Sequence, residues 1–254
     1  MKIVIITQDD PFYLGPNIDY LLSELPDYAQ VVACIVTNVS PFGKKESFLA
    51  KAIKTLQVFG IGFFVRYAIR FIRTRISSRD SVLAVLKRHA IPLLSLSSSI
   101  NSEASLNLLH SYEPDLLVSI AGNEIFRQPL IELAPLGCLN LHTALLPKYR
   151  GLMPSFWVLK NQEQKTGVSI FFVDEGIDSG PILVQKEIEI SGMTQEELIR
   201  QTKRLGMDGI LEAIDKLHLG DRSVIENDDA KKTYYSFPTR EDVKEFRKVG
   251  ARFY

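Results

Sequence analysis

The chain has 254 residues, of which 46% are hydrophobic, so it can bury one substantial core, and one main domain is expected. Thirty basic residues balance thirty acidic ones, so the chain lacks the net positive charge typical of nucleic-acid-binding proteins, and nucleic acid is not expected as a partner. Two cysteines lie within apolar runs, which favours buried thiols over a disulfide, and the N-terminal apolar run is too short for a signal peptide. A cytoplasmic location is expected.

Strands and helices alternate through the first half of the chain. The sequence predicts strands at residues 2–7, 30–37, 91–94 and 115–120, and helices at residues 18–25, 81–89 and 102–110. Alternation on this scale indicates an α/β protein with an open, mostly parallel, twisted sheet of the Rossmann-like kind. Functional residues of such sheets gather beyond the carboxyl ends of the strands.

The second half of the chain is predicted to complete the sheet and to add a small α+β extension. Residues 166–173 and 181–190 could pair antiparallel at the sheet edge, which would hold the intervening loop at both ends. Thr194 and Glu197 form a capping-box pattern, and the helix they open is expected to stop at Gly220. Two weak strands, at 223–226 and 234–237, and a helix capped by Thr239 follow. We therefore expect a catalytic domain at 1–190 and a C-terminal helix and extension at 191–254.

Residues 48–76 interrupt this alternation with an apolar and basic segment. Its longest uncharged window, residues 55–65, is well below the roughly 20 residues needed to cross a bilayer. Arg66, Arg70 and Arg73 fall on one helical face, which would suit a helix lying on a membrane surface. The favoured interpretation is an amphipathic helical insertion, about residues 44–78, packed on the main domain.

The first motif whose residues could take part in catalysis is CLNLHTALLPKYRG at residues 138–151. Asn140 and His142 are two residues apart in a predicted strand, so both side chains lie on the same face. Burying a polar pair at the end of a central strand costs free energy unless the side chains are hydrogen-bonded, so such a pair is expected to have either a structural partner or a function. His142 could still be an ordinary structural histidine, as we expect for the other three histidines.

The second motif is VDEGIDSGP at residues 173–181, which by itself could be only an acidic turn. Its Asp-x-Gly-x-Asp-x-Gly-Pro pattern, taken with the Asn-x-His pair and the Leu-Pro-x-x-Arg-Gly loop, resembles the folate-dependent formyltransferases. That family includes enzymes that formylate methionyl-tRNA, glycinamide ribonucleotide and amino sugars carried on nucleotides. The resemblance covers residues 114–190 well, and the N-terminal part only in its general pattern.

The resemblance implies a catalytic trio of Asn140, His142 and Asp178, and N10-formyltetrahydrofolate as the formyl donor. It also implies a folate pocket formed largely by main chain of two loops, here Gly122, Asn123, Glu124, Ile125 and Phe126 in one and Asp174, Glu175 and Asp178 in the other. Phe171 departs from the family pattern, because many relatives have histidine there. This departure bears on the support of the acidic loop rather than on the trio.

The chemistry of formyl transfer explains why such a trio is useful. Attack of an amine on a formyl carbon develops negative charge on oxygen, which the Asn140 amide and a protonated His142 could stabilise. Histidine can also exchange protons near neutral pH, while Asp178 would orient the ring and stabilise its charge. No metal is required by this chemistry, and no cluster has metal-ligand spacing.

The segment after the first motif bears on the acceptor. Arg150, Gly151, Pro154 and Trp157 are similar to a pattern in enzymes that formylate 4-amino sugars on nucleotides, which implies a substrate-binding role. We therefore expect a nucleotide-linked 4-amino-4,6-dideoxyhexose as acceptor, for a surface glycan, and a possible homodimer through the C-terminal strands. Trp157 could instead only anchor its helix. The alternatives are a methionyl-tRNA formyltransferase-like enzyme, against which the mixed charge of the tail argues, or a catalytically inactive relative that binds folate or nucleotide.

Overall fold

The computed structural model describes residues 1–37, 47–76, 78–122 and 124–254. The elements in chain order are β1 (Lys2–Gln8), α1 (Leu14–Ser23), β2 (Gln30–Thr37), α2 (Phe48–Phe59), α3 (Ile61–Ile76), α4 (Val82–Arg88), β3 (Leu93–Leu94), α5 (Glu103–His110), β4 (Leu116–Ile120), α6 (Gln128–Ile131), β5 (Cys138–His142), β6 (Arg150–Gly151), α7 (Pro154–Lys160), β7 (Lys165–Phe172), β8 (Ile182–Glu189), α8 (Gln195–His218), β9 (Tyr234–Tyr235) and α9 (Arg240–Lys248).

The main sheet has seven strands in the order β3-β2-β1-β4-β5-β7-β8. Strands β3, β2, β1, β4 and β5 pair in parallel, whereas β7 is antiparallel to both β5 and β8. The expected open, mostly parallel α/β sheet is confirmed, and so is the antiparallel pair at its edge. Strand β3 is shorter than expected, because only two of its residues pair with β2.

The apolar runs of the sequence form the centre of the sheet, where helices cover both faces. Strands β1 and β4 are buried almost throughout. One face packs against α1, α4 and α8, and the opposite face packs against α5 and α6. At Gly206, a Cβ atom would lie 2.6 Å from the Leu141 Cδ2 atom, so glycine lets α8 approach β5 closely. Helix α8 thus contributes to the main core, and the domain division at residue 190 remains a proposal.

Helix capping follows the sequence closely. Thr194 and Glu197 make both hydrogen bonds of a capping box at the start of α8, as expected. Thr239 caps α9 in the same way with Asp242. Strand β9 then pairs in parallel with β6, which fastens the C-terminal extension to the loop that follows β5.

The apolar and basic segment forms two consecutive helices, α2 and α3, separated by Gly60 with a φ of +84°. Residues 44–46 and 77 of the expected insertion lie outside the described residues. Phe59 is buried in an aromatic cluster with Phe156, Phe246 and Phe253, so the inner side of these helices packs on the C-terminal extension. In the described part of the chain, no helix is both long and apolar enough to cross a bilayer.

Candidate active site

Two sequence-distant segments meet at the carboxyl end of β5. Strand β5 carries Asn140 and His142, and the loop between β7 and β8 brings Asp178 to the same place. The His142 Nδ1 atom lies 3.5 Å from the Asp178 Oδ2 atom. Both side chains are largely buried, with 7% of the imidazole and 13% of the carboxylate exposed. The imidazole and carboxylate are therefore adjacent at the carboxyl ends of the strands, which is where α/β proteins place their functional sites.

The orientation of the His142 ring is fixed from both sides. Its Nε2 atom lies 2.7 Å from the Tyr149 carbonyl oxygen. Since a carbonyl oxygen only accepts hydrogen bonds, Nε2 carries a hydrogen in this arrangement. The other nitrogen, Nδ1, faces Asp178, whose carboxylate can accept a hydrogen bond from it when the ring is protonated. The ring thus has an acceptor beside each nitrogen, which suits an imidazole that carries two hydrogens during part of a reaction.

The Asp178 carboxylate is held by the backbone of the loop after β5. Its Oδ2 atom accepts a hydrogen bond of 2.8 Å from the Gly151 amide. Asp178 has a φ of +49°, a left-handed conformation that aspartate tolerates better than most residues. The Asn227 Nδ2 atom donates to the Asp178 and Gly180 carbonyl oxygens, at 2.9 and 2.8 Å. Asn227 therefore holds the loop in the conformation that aims the carboxylate at His142.

Two glycines of the motifs have no room for a side chain. Gly151 has a φ of +94°, and a Cβ atom there would lie 2.3 Å from the Tyr235 carbonyl oxygen. A Cβ atom at Gly180 would lie 1.8 Å from the Phe172 carbonyl oxygen. Both glycines therefore allow close backbone approach, at the ends of the segments that carry His142 and Asp178.

Asn140 lies between β4 and β7, opposite Ser119 and Phe171. Its side chain is half-buried. Among the residues that the structure describes, none makes a hydrogen bond to this side chain. An amide in this position can donate to an oxygen that enters the site. Phe171, the departure from the family pattern, is buried in a cluster with Leu146 and with Ile182, which follows the acidic loop.

The first candidate folate loop follows β4 and is held from outside. The Glu124 carboxylate accepts hydrogen bonds from the Ser99 hydroxyl and the Ile100 amide, at 3.1 and 3.4 Å. Asn101 donates to the Ile125 carbonyl oxygen at 2.8 Å, while the Ile125 side chain is 55% exposed. The loop therefore offers an accessible apolar side chain on a fixed backbone.

The other members of this loop differ in accessibility. Phe126 is buried in the core, and a Cβ atom at Gly122 would lie 2.5 Å from the Ser119 Oγ atom. Asn123 lies outside the described residues.

The acidic loop is shaped by Asp174. Its Oδ1 atom accepts hydrogen bonds from the Gly176 amide and the Ser179 hydroxyl, at 3.0 and 2.6 Å. Glu175 and Ile177 are exposed at the tip of the loop. Asp174 thus has a clear structural task, whereas Glu175 and Ile177 are accessible to a ligand.

The Arg150 side chain, which follows the loop after β5, is buried. Its guanidinium donates to the Asp229 carboxylate at 2.7 Å and to the Asn227 side-chain oxygen at 2.8 Å. The Arg150 Nε atom is buried without a hydrogen-bond partner in the described part of the chain. Arg150 thereby joins the loop after β5 to the C-terminal extension.

Trp157 also contacts the extension. Its indole nitrogen donates to the Ser236 carbonyl oxygen at 3.1 Å, and its ring stacks on Tyr235 at a centroid distance of 4.7 Å. Pro154 is the first residue of α7. These contacts give Arg150 and Trp157 structural roles. A direct contact of either side chain with substrate is still a prediction.

Sequence reasoning missed the contribution of the residues around the trio. The Tyr149 carbonyl and the Asn227 side chain both position it. Tyr149 lies within the first motif but acts through its main chain, and Asn227 belongs to no motif. Burial, together with the hydrogen bond to Glu163, raises the pKa of the Tyr149 phenol above its usual range. The signal that could have pointed to Asn227 is the polar turn before β9, although such turns are common.

A second pair of ionisable residues, Asp10 and Lys203, includes a residue that closely follows the carboxyl end of β1. Burial raises the pKa of Asp10, although the nearby Lys203 acts in the opposite direction. Burial lowers the pKa of Lys203. Perturbed ionisable groups of this kind concentrate at functional sites, but no motif in the sequence marks them.

A shallow cavity between Pro114 and Pro135 lies at the opposite end of the strands.

Comparison with known proteins places this chain in a family. The family model described as formyl transferase matches residues 1–214, and the chain belongs to that family. A methionyl-tRNA formyltransferase of Kosmotoga olearia is 36% identical over 166 residues, which cover 63% of this chain and 52% of that protein. The chain therefore spans about half the length of the curated relatives it matches.

Solved structures agree on the fold. Glycinamide ribonucleotide transformylase 1 from Symbiobacterium toebii has a TM-score of 0.61 at 20% identity, covering 90% of this chain and 94% of that one. A sugar 3N-formyl transferase, solved in the presence of dTDP and 5-N-formyl-THF, has a TM-score of 0.59 at 18% identity, covering 93% and 69%. The formyltransferase fold expected from the motifs is thereby confirmed.

Proposed function

We propose that this protein transfers a formyl group from N10-formyltetrahydrofolate to the primary amine of a nucleotide-linked amino sugar. The observation that carries the proposal is the contact between His142 and Asp178 at the carboxyl end of β5, where the His142 Nδ1 and Asp178 Oδ2 atoms lie 3.5 Å apart. Asn140 lies two residues before His142 on the same strand. Membership of the formyl transferase family supports the reaction class.

Each member of the trio has a role that follows from its surroundings. The Asn140 amide donates to the carbonyl oxygen of the formyl group as negative charge develops there. Protonated His142 stabilises the same charge, and Asp178 offsets the positive charge of the ring. As the amine nitrogen bonds to the formyl carbon, the bond from that carbon to the folate nitrogen breaks. His142 gives its proton to that leaving nitrogen and takes up the proton that the amine loses, because imidazole can both give and accept a proton.

The two loops beside the trio suit a flat heterocyclic donor. Their backbones are fixed by Glu124, Asn101 and Asp174, while Ile125 and Ile177 remain exposed. Apolar side chains on a rigid backbone can sandwich an aromatic ring, and free main-chain groups can bond its edge. The donor itself supplies the formyl carbon, and the protein positions it.

The amino-sugar acceptor rests on the Arg150, Gly151, Pro154 and Trp157 pattern. Arg150 and Trp157 hold the C-terminal extension against the segment that follows β5. Its tail of mixed charge does not favour capture of a polyanionic backbone. A role in surface-glycan synthesis follows if the acceptor is such a sugar.

A second candidate is formylation of methionyl-tRNA, which is favoured by the names of the curated relatives. The discriminating experiment mixes the protein and N10-formyltetrahydrofolate with UDP-, GDP- and dTDP-linked 4-amino sugars or with methionyl-tRNA. Tetrahydrofolate release and the mass of the formylated product are measured, with His142→Ala as control. We expect release with one amino-sugar nucleotide. Release with methionyl-tRNA alone would select the second candidate, and release with none would refute both.

A further inference from the structure

Helices α2 and α3 each expose a row of apolar side chains. On α3 the series runs at helical spacing, with Ile61 67% and Ile72 57% exposed at its two ends. Its full set on the two helices is Leu49, Ile53, Leu56, Ile61, Val65, Ile69 and Ile72, called here the outer stripe. Single exposed apolar residues are ordinary on proteins, but a contiguous stripe marks a contact surface.

The outer stripe is not needed to hold the two helices in place, because their inner side already does so. Phe59 and Phe63 pack on Phe253, at centroid distances of 5.7 and 5.0 Å. The Arg247 guanidinium donates to the Phe59 carbonyl oxygen at 2.6 Å. Folding therefore accounts for the inner side of the helices and leaves the outer stripe unexplained.

The charge around the stripe indicates its partner. Residues 48–76 contain six basic residues and no acidic residue, although the whole chain has 30 of each charge. On α3, Arg66 and Arg73 follow Val65 and Ile72 directly, so at 100° per residue they border the stripe, and both are exposed. Glu196 of α8 lies 3.6 Å from Arg66, which still leaves the pair of helices a strongly cationic part of a neutral protein.

Apolar side chains bordered by arginines suit the surface of an anionic bilayer. The apolar residues enter the region between headgroups and acyl chains, while the long cationic side chains reach the phosphates. Helix α3, with 16 residues, is about 24 Å long and would lie along the surface.

A second copy of the chain is a poorer occupant of the stripe. In a two-fold symmetric dimer the same patch faces itself, so the cations of one copy would oppose those of the other. No acidic residue of the segment is available to compensate them. Lipid phosphates supply the missing negative charge.

We propose that the outer stripe docks this protein on the surface of a bilayer rich in anionic phospholipid, with Arg66 and Arg73 at the headgroup phosphates. The proposal is independent of the acceptor and of the chemistry at His142. Its consequence is that the protein, with its candidate active site, is held next to a membrane.

The test is flotation of the full chain with vesicles of phosphatidylcholine, with and without phosphatidylglycerol. The double variant Val65→Gln/Ile69→Gln removes apolar contact, and Arg66→Gln/Arg73→Gln removes charge. Leu219→Gln is the matched control, because Leu219 is 80% exposed at the far end of α8. Circular dichroism and thermal unfolding show that each variant is folded.

We expect the wild type and Leu219→Gln to float with phosphatidylglycerol vesicles, and each double variant to bind at least about tenfold more weakly. Added salt should weaken wild-type binding. Failure of the wild type to float overturns the proposal, and so does unchanged flotation of the Val65→Gln/Ile69→Gln variant. A wild-type dimer that this variant dissociates, without flotation, would assign the stripe to a second copy instead.

Discussion

Replacement of Asp178 by asparagine isolates the charge that the structure places beside His142. Asparagine is similar in size and tolerates the left-handed φ of +49° at this position. Its side-chain oxygen can still accept the 2.8 Å hydrogen bond from the Gly151 amide. The substitution therefore keeps the loop and removes the negative charge.

The expected magnitude follows from the distance between the two side chains. Opposite unit charges 3.5 Å apart attract by about 5 kcal/mol at an effective dielectric constant of about 20. Because the neutral amide and nearby water recover part of this energy, we expect a loss of about 3 kcal/mol, or roughly a hundredfold in kcat. The KM for the amine should change little, since the charge acts in the transition state.

The assay is steady-state release of tetrahydrofolate, with circular dichroism to establish folding. His142→Ala is the matched control and should lose at least about a hundredfold in turnover. The variant carrying both changes should lose little more than His142→Ala alone, because the two side chains act as a unit. A folded Asp178→Asn protein with kcat close to the wild-type value would refute the reasoning.

Three further predictions concern the support of the site and the core. Asn227→Ala removes the donor to the carbonyl oxygens of Asp178 and Gly180. We therefore expect kcat to fall about tenfold and the free energy of unfolding to fall by about 2–4 kcal/mol. An unchanged kcat would contradict this. Trp157→Ala should lower the free energy of unfolding in urea by about 3–5 kcal/mol, because the indole is buried and hydrogen-bonded; a change below about 1 kcal/mol would mean that its packing matters little. Burial raises the pKa of Cys34 and Cys138 to about 12, so both thiols should stay protonated and resist iodoacetamide near pH 8 until the protein unfolds; rapid labelling of the native protein would contradict this.

Local sequence patterns predicted those parts of the fold that local physics determines. Residues 30–37 form β2 with the predicted bounds, because an apolar β-branched run has few alternatives to a buried strand. Thr194 caps the start of α8 because its side chain accepts a hydrogen bond from the Glu197 amide in the first helical turn. Side chains alternate along a strand, so the two-residue spacing of Asn140 and His142 is enough to predict that both lie on one face of β5.

Contacts between segments distant in sequence could not be predicted in this way. Asn227 reaches Asp178 across 49 positions, and no local pattern encodes that hydrogen bond. The burial of Arg150 and Trp157 depends on residues of the C-terminal extension, whose own sequence predicts only weak strands and a short helix. The family motif is the basis for the proposed trio, whereas the contacts that hold those side chains depend on tertiary packing.

The most direct measurement of the proposed function is a single-turnover experiment with N10-formyltetrahydrofolate labelled in the formyl carbon. The wild type and His142→Ala are each mixed with excess donor and the amino-sugar nucleotides, and the label is followed by mass spectrometry. We expect label on the acceptor amine with the wild type, and at least about a hundredfold slower transfer with a variant that still binds the donor. A wild type that binds the donor but transfers label to no amine, or an equal rate in the variant, would contradict the role assigned to the imidazole at the end of β5.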